Sequence, residues 1–283
     1  MTTWRALTTL WSWDPTVLLG CGGAAAWYVQ AARPLGRRSV PFMAGLLVLL
    51  LALVSPLDIL GDRYLFSAHM LQHLLLILVV PPLLLLGIPP ALFERLLRRP
   101  AADRAERLLG HPAVAWLTGT LTLWVWHAPA LYDAALQNEG IHVLQHLCFL
   151  VASTIFWWPV IMPLPDRSRM NALGTLAYLM LGSLSNSVLG IIETFAPPGL
   201  YSPYVYPLDT LGLLPLIRQG WNLSPSNDQQ LGGLLMWTGS VPVFILACIG
   251  IIVRWFAEPE PDLVEARREM EEPVDPQWQT RTG

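Results

Sequence analysis

Apolar residues in this chain come in long blocks separated by short polar connections. The blocks are too long and too uniformly greasy for the strands or half-buried helices of a soluble domain. Seven of them could cross a hydrocarbon core of about 30 Å: Thr16–Ala32, Val40–Leu60, Ser67–Ile88, Pro112–Tyr132, Ile141–Met162, Asn171–Phe195 and Leu231–Phe256. The pattern predicts an all-α fold, a polytopic seven-transmembrane-helix bundle over residues 1–257. Pro81 and Pro82 should bend the third crossing, which a membrane helix tolerates when neighbours satisfy the freed carbonyls. An acidic, Pro-interrupted tail over 258–283 is expected to be disordered apart from one short helix at Leu263–Met270.

Composition sharpens this picture. Only 13% of the 283 residues are charged and 54% are hydrophobic, against roughly a quarter charged in soluble domains. All 17 basic residues are arginine, and 14 of them fall in alternate connections, after the first, third, fifth and seventh blocks. The positive-inside rule makes those connections cytoplasmic, with the N-terminus outside and the C-terminus cytoplasmic. Tryptophans cluster near both expected interfaces, as aromatic belts do. The net charge of −3 carries no nucleic-acid signature. Cys21, Cys148 and Cys248 are far apart and read as apolar filler, not as a thiolate clip or disulfide framework. No basic region precedes the first apolar block, so a cleaved signal peptide is not expected.

Candidate chemistry lies in a repeated pentad, His69-Met-Leu-Gln-His73 and His142-Val-Leu-Gln-His146. Histidines four apart leave the same face of a helix, and an imidazole is costly in lipid unless paired or bound. Both pairs fall in the first two turns of crossings that run inward from the outside, and His127 ends the crossing between them. Five imidazoles are therefore expected at one depth near the outer face. An offset of 73 residues superposes the two pentads and also Pro56 on Pro129, which suggests two hairpins of one topology. His111, beside Pro112, reads as a loop or cap residue.

Other polar groups accompany these five. In the sixth block Ser183, Asn186, Ser187, Gly190, Glu193 and Thr194 form one polar, small stripe that must face protein. Asn186 and Glu193 are candidates for a ligand or for a partner to an imidazole N–H, and Met70 and Met236 are soft ligands at the right depth. Asp58, Asp133 and Asp228 read as helix-end or loop residues. The outer connection Ala196–Gln230 contains Leu208–Ile217, which could lie on the membrane surface.

Imidazole suits zinc, copper, iron and nickel, and thioethers tilt a site towards Cu(I). Met70 and Val143 stand where a zinc protease would carry its glutamate, so that chemistry is not expected. No nucleophile, base and oxyanion constellation is evident, and the chain does not read as an enzyme. Copper is the favoured occupant. A b-type haem, a metal or proton transporter, and purely structural histidines remain open on the residues alone. Transport is disfavoured because the third and fifth blocks are almost wholly apolar beyond His73 and His146.

Ser67-Ala-His-Met-Leu-Gln-His-Leu-Leu74, Trp124-Val-Trp-His-Ala-Pro129, Ile141-His-Val-Leu-Gln-His146 and Asp228-Gln-Gln-Leu-Gly-Gly-Leu-Leu-Met-Trp237 together resemble the multi-span CtaG family of cytochrome c oxidase assembly factors, associated with caa(3)-type oxidases. The resemblance implies a multi-pass bacterial plasma (inner) membrane protein that helps mature a haem–copper oxidase. Its implied partners are cytochrome c oxidase subunits, the lipid bilayer and a periplasmic or extracellular copper chaperone. The histidines carry over as candidate copper ligands, and Met236 with them.

Overall fold

A computed structural model describes residues 2–161, 167 and 170–257, and these are helical throughout, joined by turns. The expected tail, with its Leu263–Met270 segment, lies outside the described residues. In chain order the helices are α1 (Thr3–Thr9), α2 (Pro15–Ala31), α3 (Ser39–Val54), α4 (Pro56–Arg63), α5 (Phe66–Gly87), α6 (Pro90–Leu97), α7 (Pro100–Leu109), α8 (Pro112–Trp126), α9 (Pro129–Gln137), α10 (Glu139–Ile161), α11 (Ala172–Phe195), α12 (Ser202–Val205) and α13 (Pro225–Ala257). Seven begin with proline, at Pro15, Pro56, Pro90, Pro100, Pro112, Pro129 and Pro225. That position leaves no intrahelical donor to lose.

Among the described residues, four helices, α5, α10, α11 and α13, are long and apolar enough to cross a membrane. A fifth crossing arises if α3 and α4, bent by 48°, are taken together. The bend falls at Ser55-Pro56, where Ser55 Oγ accepts from Leu57 N. The expected crossings Thr16–Ala32 and Pro112–Tyr132 fold as helices of 17 and 15 residues. The second stops at Trp126 because Pro129 opens α9 and biases the residue before it away from the helical region.

Helix α5 is the hub, packed by α3, α4, α10 and α13, while α10 also meets α8 and α9. The described part of α5 is not broken by Pro81 and Pro82; a single wide turn over Leu75–Val79 precedes them. Proline at 81 cannot donate to the Ile77 carbonyl one turn earlier. The Trp157 indole N–H of α10 donates to that carbonyl at 3.0 Å instead. Helices α11 and α13 cross at glycines: a Cβ on Gly190 would meet Trp237 N at 2.5 Å, and one on Gly233 would meet Thr194 N at 2.5 Å. Small residues at such a crossing permit backbone contact.

Polarity runs inside out. Leu117, Leu121, Val125, Val143, Leu144, Leu147, Val151, Met180, Leu181, Leu184, Leu246 and Ile249 are exposed, whereas His69, Gln72, His73, Gln145, Glu193 and Asp228 are buried. Such a surface suits hydrocarbon, and such an interior needs internal partners.

Candidate metal centre

The polar heart is assembled at the start of α5 and α10 and the end of α8. Asp228, far away in sequence, caps α5: its carboxylate accepts from Phe66 N at 2.7 Å, Ser67 N at 3.1 Å and the Ser67 hydroxyl. Gly61 lets α4 lie against the α5 backbone, since a Cβ there would stand 3.0 Å from His69 Cα. The glutamine inside each pentad ties its helix to the end of the helix two before it. Gln72 Nε2 donates to Ala52 O at 2.9 Å in α3, and Gln145 Nε2 to Trp126 O at 3.4 Å in α8. The repeat is therefore structural as well as sequential: Pro56 and Pro129 each open the short helix preceding a histidine-bearing one.

The five expected imidazoles converge. Ring centroids lie 4.3 Å apart for His69–His73, 4.2 Å for His142–His146, 5.3 Å for His69–His142, 5.6 Å for His73–His146 and 5.3 Å for His73–His127. His69 and His73 are fully buried. Two backbone carbonyls orient the rings. His127 Nδ1 lies 2.7 Å from Leu123 O and His69 Nδ1 3.3 Å from Gly61 O. A carbonyl can only accept, so each Nδ1 carries the proton and each Nε2 presents a lone pair. Nε2 of His69, His73, His127, His142 and His146 has no hydrogen-bond partner. Nitrogens left bare in a buried site are what a metal satisfies. Ligand atoms of His69, His73 and His146 all lie within 4.8 Å of one another, as do those of Asp62, His69 and His142.

Aromatic residues close the cluster. Tyr132 stacks on Tyr201 at 3.9 Å and stands 5.4 Å from His69 and 5.9 Å from His127, while Phe149 lies 4.6 Å from His73. Tyr204 Oη donates to Gly61 O and Tyr201 Oη to His127 O, both at 2.8 Å. Burial pushes both the Tyr201 and Tyr204 phenols above their usual range. They remain protonated donors at ordinary pH.

The remaining expected residues divide. Glu193 is buried at the edge of the cluster, Oε1 at 3.2 Å from Tyr201 Oη and Oε2 without a hydrogen-bond partner. Asn186 donates to Met236 O at 2.7 Å, which places its amide at the α11–α13 crossing. Met70 and Met236 are fully buried in the main apolar cluster. His111 precedes α8, as a cap residue should. The rim carboxylates have partners: Asp58 accepts from Ser12 and Gln72, Asp133 from Ser202, and Asp228 caps α5. The carboxylate that reaches the imidazoles is Asp62, which the sequence reading did not single out; its one signal was an acid seven residues before His69. Gln229 was missed too. Its amide bridges Ala196 O and the Gly199 and Leu200 N–H groups, closing the end of α11.

A helical membrane protein with buried histidine groups able to hold a metal ion is the class these features define. The model of the cytochrome c oxidase caa3 assembly factor family matches residues 18–258, and the chain belongs to that family. It is 24% identical to uncharacterized proteins of Mycobacterium bovis and Mycobacterium tuberculosis, over 87% of this chain and 39% of theirs. It is 23% identical to one of Mycobacterium leprae, over 87% of this chain and 40% of that protein. The chain thus spans about two fifths of the curated relatives it matches. No solved structure matches.

Proposed function

We propose that this protein takes up copper at His69, His73, His127, His142 and His146 and supports its delivery to a haem–copper cytochrome c oxidase during assembly. The observation that carries the reading is the meeting of five imidazoles from three helices with their Nε2 nitrogens bare. Neutral nitrogen ligands suit copper and add no charge to a buried site. Glu193, Met70, Met236 and Asn186 stand as supporting residues, of which Glu193 borders the cluster most directly. Copper is here cargo, and the role is non-catalytic.

The same reading takes residues 1–257 as seven crossings with the N-terminus outside and 258–283 as a cytoplasmic tail. Support comes from the arginine distribution. The histidines would then open to the outer side of a bacterial plasma membrane, where an extracytoplasmic copper chaperone meets them.

A b-type haem fits less well. The rings are packed 4.2–5.9 Å apart with Phe149 and Tyr132 against them, which leaves no plane for a macrocycle. A permease fits less well because α5 continues below His73 with buried Leu74, Leu76, Leu78 and Val80.

Elemental analysis and an absorption spectrum of the purified full chain test the proposal. Copper without a Soret band is expected, and it should be lost in the His73→Ala/His146→Ala double variant. Haem iron, or wild-type copper content in that double variant, would overturn it.

A further inference from the structure

Asp62 borders the histidine cluster, one residue from the end of α4. Its Oδ1 stands 3.4 Å from His142 Nε2 and 3.8 Å from His69 Nδ1. Asp62 Oδ1 makes no hydrogen bond to either ring. Asp62 Oδ1 and His142 Nε2 are buried atoms with no hydrogen-bond partner. Two donors on one tetrahedral ion, with bonds of about 2.0–2.1 Å, stand roughly 3.3 Å apart. The spacing is that of ligands awaiting a shared ion. The side chain of Asp62 is 25% exposed while His69 is fully buried and His142 only 7% exposed, so the carboxylate is the partly exposed member of this group.

We propose that Asp62, His69 and His142 form an outer receiving station for a divalent transition-metal ion, which then passes to the His69–His73–His146 group. The inference rests on the metal reading above and adds a path to it. A carboxylate offsets one charge of a divalent ion as it sheds water at the rim. The inner group then holds it on imidazoles alone, of which His69 and His73 are fully buried.

His69 belongs to both stations. Its Nδ1 faces Asp62 and the Gly61 carbonyl, and its Nε2 is bare. At the outer station Nδ1 binds the ion and the ring proton sits on Nε2. At the inner station Nε2 binds, and the proton returns to Nδ1 and the Gly61 carbonyl. The two stations therefore exclude one another, and one ion is held at a time. If Asp62 instead only orients the His142 ring, losing it lowers affinity and leaves the loading rate unchanged.

The test is zinc uptake by the full chain in lipid nanodiscs, with zinc as a redox-silent probe supplied from a chelator buffer. Loading and release are followed by stopped flow, and final content by elemental analysis. Asp62→Asn should load at least about ten-fold more slowly, with unchanged final content of one ion per chain. His73→Ala should load at the wild-type rate and release at least about 100-fold faster. Asp62→Glu keeps the carboxylate and should load near the wild-type rate. Wild-type loading by Asp62→Asn, or loading by Asp62→Glu as slow as that of Asp62→Asn, overturns the station. A wild-type chain that takes up neither zinc nor copper removes the metal reading and this inference together.

Discussion

The two copies of the pentad share sequence but not surroundings. His69 and His73 sit on a helix walled by four others, and Met70 between them is fully buried. His142 and His146 sit on a helix whose next residues, Val143, Leu144 and Leu147, face outward. Their caps differ in the same sense. Asn138, just ahead of α10, accepts from Ile141 N at 3.2 Å, whereas α5 depends on Asp228 from the last long helix. Duplication supplies equal chemistry; packing then makes one copy a core and the other a rim.

That asymmetry can be broken by substitution. The largest expected effect is on metal affinity: His73→Ala should weaken binding at least about 100-fold and His142→Ala roughly 10-fold. Equal losses in equilibrium titrations of the two variants would erase the distinction. Next comes capping. Asp228→Ala should cost about 1–3 kcal/mol in reversible unfolding, because it removes the carboxylate and leaves its buried donors at Phe66 and Ser67 without an acceptor. Asn138→Ala, at a more exposed cap, should cost about 1 kcal/mol or less. A reversed order would show that α10, not α5, limits stability.

The smallest effect belongs to the far end of α10. Arg167 Nη1 bridges Asp103 at 2.8 Å and Glu106 at 3.1 Å. Its hydrogen bond, followed by that of Arg107, holds the Asp103 carboxyl below its usual range. A depressed carboxyl stabilises above its unfolded value near pH 4 and loses that contribution as pH falls through the lowered value. Asp103→Asn should therefore flatten the acid side of the stability profile only slightly. Thermal scans between neutral pH and about pH 3 would show it.

What could be read from the chain was whatever is written locally. Hydrophobic block length marked α5, α10, α11 and α13, and i to i+4 spacing put each imidazole pair on one face. The 73-residue offset foretold two matching units, down to Pro56 and Pro129. Local signals did not show where α8 stops, because one short proline-led helix replaces the end of a crossing. Nor did they reveal Asp62, whose role depends on a 48° bend that aims α4 at the cluster. Tyr132, Tyr201 and Tyr204 were similarly silent, since two segments far apart in sequence, α9 and the stretch around α12, bring them together. Gln72 and Gln145 lay inside the motif in plain view. Their function emerged only once the carbonyls they reach, Ala52 and Trp126, were placed beside them.

The bond from Trp157 to the Ile77 carbonyl has a mechanical consequence. It pins α5 to α10 one turn below His73, so neither helix can slide along the other without abandoning a buried carbonyl. The pin acts as a ruler that keeps both imidazole pairs at matching heights. A single alanine inserted between His73 and Ile77 would rotate everything above the pin by about 100° and swing His69 and His73 away from their partners, even though no histidine had been touched.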